Sequence, residues 1–140
     1  MKKKLLSGKK LTKALDDAVR DLYHKRYPNP VCFVCGKHPG WWSPKTNPHG
    51  CQIGHYISRK ITPLRWHLMN IFCQCSGCNS LHQWNLLPFT LRIIEEYGEE
   101  RITFLNAVYQ EYKQGKGMTT LEKRERLSYF QEQLNSKHSV

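Results

Sequence analysis

Apolar residues fall on a three-four spacing from Leu11 to Tyr23 (Leu11, Ala14, Leu15, Ala18, Val19, Leu22, Tyr23), which predicts a helix with one buried stripe. Lys13, Asp16, Asp17, Arg20 and Asp21 supply its wet face, and Pro28 and Pro30 stop it. The Lys-rich residues 1–10 before it read as a mobile basic arm. Residues 36–50 hold three prolines and three glycines, which deny both helix and long strand and predict a loop anchored by its flanking cysteines and Trp41-Trp42, with stacking on nucleobases as the alternative for the two tryptophans. The pattern then turns to alternation. Cys51 to Ser58 reads as a strand with Ile53, His55 and Ile57 on one face and Gln52, Gly54 and Tyr56 on the other. A second extended piece is expected near Trp66 to Phe72, followed by a helix from Cys75 to about Leu86. Pro88 suits a first helical turn, so helices are predicted over 89–97 and 99–112, broken by Gly115-Lys116-Gly117. Thr119 with Glu122 forms a capping-box pattern that opens a last helix to about Leu134.

These elements predict an α+β, mostly helical chain. A single domain is expected over 11–140, with a strand-strand-helix core over about 31–87 flanked by N-terminal and C-terminal helices, the latter over about 88–135. The length of 140 residues excludes a large multi-domain machine, and no window nears the roughly 18 to 20 apolar residues of a membrane span. The basic start lacks the apolar middle of a signal peptide, so secretion is not expected. Charge changes the picture more. With 22 Lys and Arg against 11 Asp and Glu, the chain carries a formal +11 and calls for a polyanionic partner.

Four of the six cysteines form two Cys-x-x-Cys turns, Cys32-Phe33-Val34-Cys35-Gly36 and Cys75-Ser76-Gly77-Cys78. In a reducing compartment such pairs favour metal thiolates over disulfides. Together they make one closed tetrahedral zinc site per chain, and closed four-sulfur coordination is structural, with no open position for substrate. Cys51 and Cys73 lack partners at that spacing and read as small buried hydrophobes, with substitution into the zinc site as the alternative.

Between and beside the cysteine pairs lie Gly54-His55-Tyr56, Arg65-Trp66-His67-Leu68-Met69-Asn70-Ile71, Gln74-Cys75-Ser76-Gly77-Cys78-Asn79 and Asn85-Leu86-Leu87-Pro88-Phe89. As a set over about 31–98 they resemble the phage NinG/Rap recombination proteins, within the HNH or ββα-metal nucleases, and are similar to phage recombination endonuclease VII. The resemblance implies a zinc-stapled ββα-metal (HNH-like) core and a DNA endonuclease acting on branched or flapped DNA in phage recombination, in the host cytoplasm. Phosphodiester hydrolysis needs a base for water and a cation for the leaving oxygen, and His55, with an ordinary pKa of about 6.5, fits the base. Family analogy puts Asn79 on one hard divalent ion, Mg²⁺ or Mn²⁺, and has Asn70 either orient His55 or fix the connecting loop.

Many such nucleases carry an Asp just before the base; here that place is Gly54. Gln52 could supply a second metal ligand, but residues 52 and 55 face opposite sides of an ideal strand, so a bulge or turn would be required. His82, one turn after Asn79, is the other candidate, against a plainer reading as a helix-surface histidine. Arg59, Lys60 and Arg65 are expected to grip the DNA backbone. Symmetric cutting of a four-way junction would take two sites and hence a homodimer; the helices after Pro88 either supply that interface or cover the core. The competing readings are a zinc-stapled module that binds nucleic acid without cutting, and a protein-interaction adaptor.

Overall fold

The computed structural model describes residues 4–136. The chain divides into two compact units, one formed by the segments up to Arg26 and from Met118 onward, the other by Tyr27–Gly117.

The first unit pairs helix α1 (Gly8–Arg26) with helix α6 (Thr120–Asn135). The stripe read from the sequence is the buried one: Leu11, Leu15, Ala18, Val19, Leu22 and Tyr23 from α1, with Leu127 and Phe130 from α6. Helix α1 begins at Gly8, so residues 8–10 of the expected arm are helical; the Leu11 amide already donates to the Ser7 carbonyl at 3.2 Å. The arm's first three residues lie outside the described ones. Both capping-box bonds are present, the Glu122 amide to Thr119 Oγ1 and the Thr119 amide to Glu122 Oε1, each 3.1 Å. Lys25 Nζ donates to the Leu134 and Ser136 carbonyls at the other end of α6, where unpaired carbonyls favour a cation.

The second unit contains an antiparallel pair, β1 (Cys51–His55) and β2 (Ile71–Cys75), followed by α3 (Ser76–Leu81), α4 (Leu87–Tyr97) and α5 (Glu99–Lys113). The strands are joined through a short helix, α2 (Thr62–Arg65), and a 3-10 turn at Leu68–Asn70. Its apolar core gathers Tyr56, Leu64, Phe72, Phe89, Ile93 and Leu105, with Phe33 of the first cysteine turn 4.6 Å from the Phe72 ring. Gly98, at φ 84°, ends α4 and opens α5, a backbone turn that disfavours any side chain. A mixed α and β, mostly helical chain is therefore observed, with six α-helices and one two-stranded sheet among the described residues.

Three boundaries differ from expectation. Strand β1 ends at His55 rather than Ser58, so Tyr56 and Ile57 leave the sheet. The second strand begins at Ile71, not near Trp66, because Pro63 starts a helical turn and Trp66 is buried without being in a strand. Helix α3 ends at Leu81 rather than Leu86; Asn85 Oδ1 accepts from the Leu87 amide at 3.2 Å and opens α4 instead.

Candidate metal centre and adjoining cavity

The first cysteine turn closes on itself, Gly36 N donating to the Cys32 carbonyl at 2.9 Å, while Phe33 N donates to the Cys73 carbonyl at 2.8 Å and fastens the turn to β2. The second turn is the β2–α3 junction, where Cys75 caps α3 and its sulfur accepts from the Cys78 amide at 3.4 Å. The sulfurs of Cys32, Cys35, Cys75 and Cys78 consequently lie within 4.8 Å of one another, and those of Cys35 and Cys75 are 3.8 Å apart. A tetrahedron with zinc–sulfur bonds of 2.3 Å has edges of about 3.8 Å, so the four thiols fit a zinc ion. Cys51 and Cys73 stay outside this cluster. Burial pushes each of their thiols up to about 12, which keeps them protonated and apolar in character.

A cavity of about 670 Å³ opens in the same unit, lined by Trp42, Gln52, Ile53, His55, Ser58, Arg59, Asn79, His82 and Gln83. His55 enters it from the end of β1. Its Nε2 is 2.8 Å from the Arg65 carbonyl oxygen, which can only accept, so Nε2 carries the proton and Nδ1 is the basic nitrogen. Asn70 sits behind this contact. Fully buried, it accepts from the Ile57 amide through Oδ1 (2.9 Å) and donates through Nδ2 to the Ile57 and Leu64 carbonyls (2.9 and 3.1 Å). Asn70 thus fixes the connecting loop and the turn that presents the Arg65 carbonyl, and its amide does not bond to His55. Of the two roles expected for it, loop fixation is the one its bonds describe.

Asn79, on α3, donates through Nδ2 to Gln52 Oε1 at 2.8 Å. No bulge is needed to bring Gln52 and His55 to one cavity: the β1–β2 register is regular. Gln52, Ile53 and His55 all line this cavity, so residues of both faces of β1 contribute to it. Gly54 between them lies against the buried Gln74 side chain, and a Cβ there would collide with that amide. The position just before His55 therefore has no room for a carboxylate side chain while Gln74 keeps its place.

A family model described as Bacteriophage Lambda NinG protein matches residues 1–135. The chain belongs to the NinG family. Membership points to a role in phage recombination and so to nucleic acid as partner, in keeping with the +11 charge. No curated protein and no solved structure matches the chain. Among the described residues no helix is long and apolar enough to cross a membrane.

In this NinG member the three basic residues expected on DNA part company. Arg59 lines the cavity and Lys60 is exposed next to it, whereas Arg65 sets its guanidinium over the Trp66 ring at 5.5 Å and offers His55 its carbonyl. His82 is the residue that sequence reasoning undervalued. It lines the cavity, half-buried, with Nε2 3.2 Å from the Tyr56 carbonyl and its ring edge-on to Phe89 at 5.1 Å. Burial pulls its pKa below the usual imidazole value, so it is neutral near pH 7 with Nδ1 basic. The spacing Asn79-x-x-His82 was the available signal, since it sets both on one side of a helical turn.

Proposed function

We propose that this chain is a metal-dependent DNA endonuclease with an HNH-like ββα-metal core, cutting branched or flapped DNA during phage recombination in the host cytoplasm. The observation that carries the reading is the pairing of His55 Nε2 with the Arg65 carbonyl beside Asn79 and His82 in one cavity, with His55 at the end of β1 and the other two on α3 and its C-cap. His55 Nδ1 takes a proton from water, the water oxygen bonds to phosphorus, and the bond to the leaving sugar oxygen breaks. Arg59, at the cavity, and Lys60, beside it, hold the phosphate strand by charge. Asn79, with Gln52 or His82, would hold a Mg²⁺ or Mn²⁺ ion, whose positive charge stabilises the leaving oxygen. This donor set is neutral, so it would hold an ion weakly by itself, and a DNA phosphate would supply the missing negative charge. The four-cysteine zinc clamps the scaffold and takes no part in the reaction. Cutting both arms of a four-way junction would require two chains acting as a dimer.

A second reading, a zinc-stapled module that binds DNA without cutting, is favoured by one observation: among the described residues no carboxylate lines the cavity. Incubating the protein with branched, flapped and linear DNA in Mg²⁺ separates the two. The endonuclease reading expects cleavage of the branched or flapped forms, lost by at least about a hundredfold in His55→Ala with DNA binding and zinc retained. No cleavage by the unaltered chain with any divalent ion would leave the binding module.

A further inference from the structure

The four tryptophans divide into two kinds. Trp66 is 1% exposed in the interior, and Trp41 donates its Nε1 to the Tyr27 carbonyl at 2.9 Å. Trp42 and Trp84 are different: they are 44% and 82% exposed, and among the described residues neither side chain makes a hydrogen bond or a ring contact. Both belong to the cavity region, Trp42 lining it and Trp84 directly following the lining residue Gln83. Leaving an indole half in water forfeits much of its burial energy.

The backbone under Trp42 is nevertheless held firmly. Its amide donates to the Cys51 carbonyl at 2.9 Å, and the Cys51 amide donates to the Gly40 carbonyl at 2.7 Å. Gly50 lies so close to the Trp41–Trp42 peptide that a Cβ there would meet its backbone atoms. Trp42 is thus tied to the first residue of the strand whose last residue is His55. A rigid backbone carrying an open aromatic face, with Arg59 in the same cavity, is the pattern of a base-stacking platform beside a phosphate site.

We propose that Trp42 stacks on an unpaired nucleobase and that the cavity selects single-stranded DNA segments over continuous duplex. Inside a duplex both faces of a base are covered by its neighbours; only an unpaired or branch-point base presents a face to an indole. This deepens the endonuclease reading by naming the form of substrate, and it rests on that reading for the identity of the scissile phosphate. Its own readout is binding, so the two can fail separately.

The experiment compares the full chain with Trp42→Ala and Trp42→Phe in fluorescence-anisotropy binding to an oligothymidylate and to a blunt duplex, without Mg²⁺ so that no strand is cut. Trp42→Ala is expected to weaken oligothymidylate binding by about tenfold and to change duplex binding by less than about twofold, with Phe retaining most of the difference. Oligothymidylate should quench tryptophan fluorescence in the unaltered chain and much less in Trp42→Ala. Zinc content of each variant confirms that its scaffold is intact. Equal loss on both DNAs, no loss on either, or no oligothymidylate binding by the unaltered chain would each overturn the proposal.

Discussion

Asn70 places both ends of its amide on backbone groups of the loop that follows β1, and no water reaches it. Removing the amide strands the Ile57 amide and carbonyl together and takes one donor from the Leu64 carbonyl, which keeps the His67 amide. Asn70→Ala should therefore destabilise the second unit by about 3 kcal/mol in urea unfolding, with cleavage falling because the Arg65 carbonyl no longer holds the His55 ring. His55 and Asn79 were legible as residue types in a motif set, and the structure brings both to one cavity. The detail that leaves Nδ1 as the basic ring nitrogen of His55 was not legible: it depends on a carbonyl ten residues on, and backbone carbonyls have no sequence signature. The burial of His82, already a candidate from its spacing to Asn79, was hidden for a related reason, since its partner is the Tyr56 carbonyl and its ring packs edge-on to Phe89.

Among the elements, the long helices announced themselves because their periodic stripes and punctuating residues agree, as with Thr119–Glu122 and Pro88. Strand β2 did not. Four of its residues, Ile71 through Gln74, are buried, so the alternation that marks a half-exposed strand is missing, while Trp66, Leu68 and Phe72 suggest one placed too early. The β1–β2 pair carries its own test at Gly54. Gly54→Ala should destabilise by about 1 to 3 kcal/mol, because the new methyl meets a buried amide that cannot swing into solvent. Adding Gln74→Ala should recover much of the loss in thermal unfolding, whereas a purely conformational cost at Gly54 would persist in the double variant.

At the scale of the whole molecule, charge and cysteine spacing pointed to a polyanion-binding, zinc-stapled protein, and family membership with the clustered sulfurs agrees. What they could not convey was the division into two units. Residues before Arg26 and after Met118 pair far apart in sequence, and amphipathic stripes state that a face is buried without naming its partner. In the proposed endonuclease the four sulfurs hold the scaffold and the His55 cavity does the chemistry. Measuring zinc content and cleavage of a flapped DNA on the same samples of the unaltered chain and Cys75→Ser, with and without Mg²⁺, tests that division most directly. The predicted result is one zinc per unaltered chain whether or not Mg²⁺ is present, cleavage only with Mg²⁺, and loss of zinc, cooperative unfolding and cleavage together in Cys75→Ser. A Cys75→Ser chain that lacks zinc yet unfolds cooperatively and cuts at the unaltered rate, or cleavage by the zinc-bound chain without any second divalent ion, would contradict it.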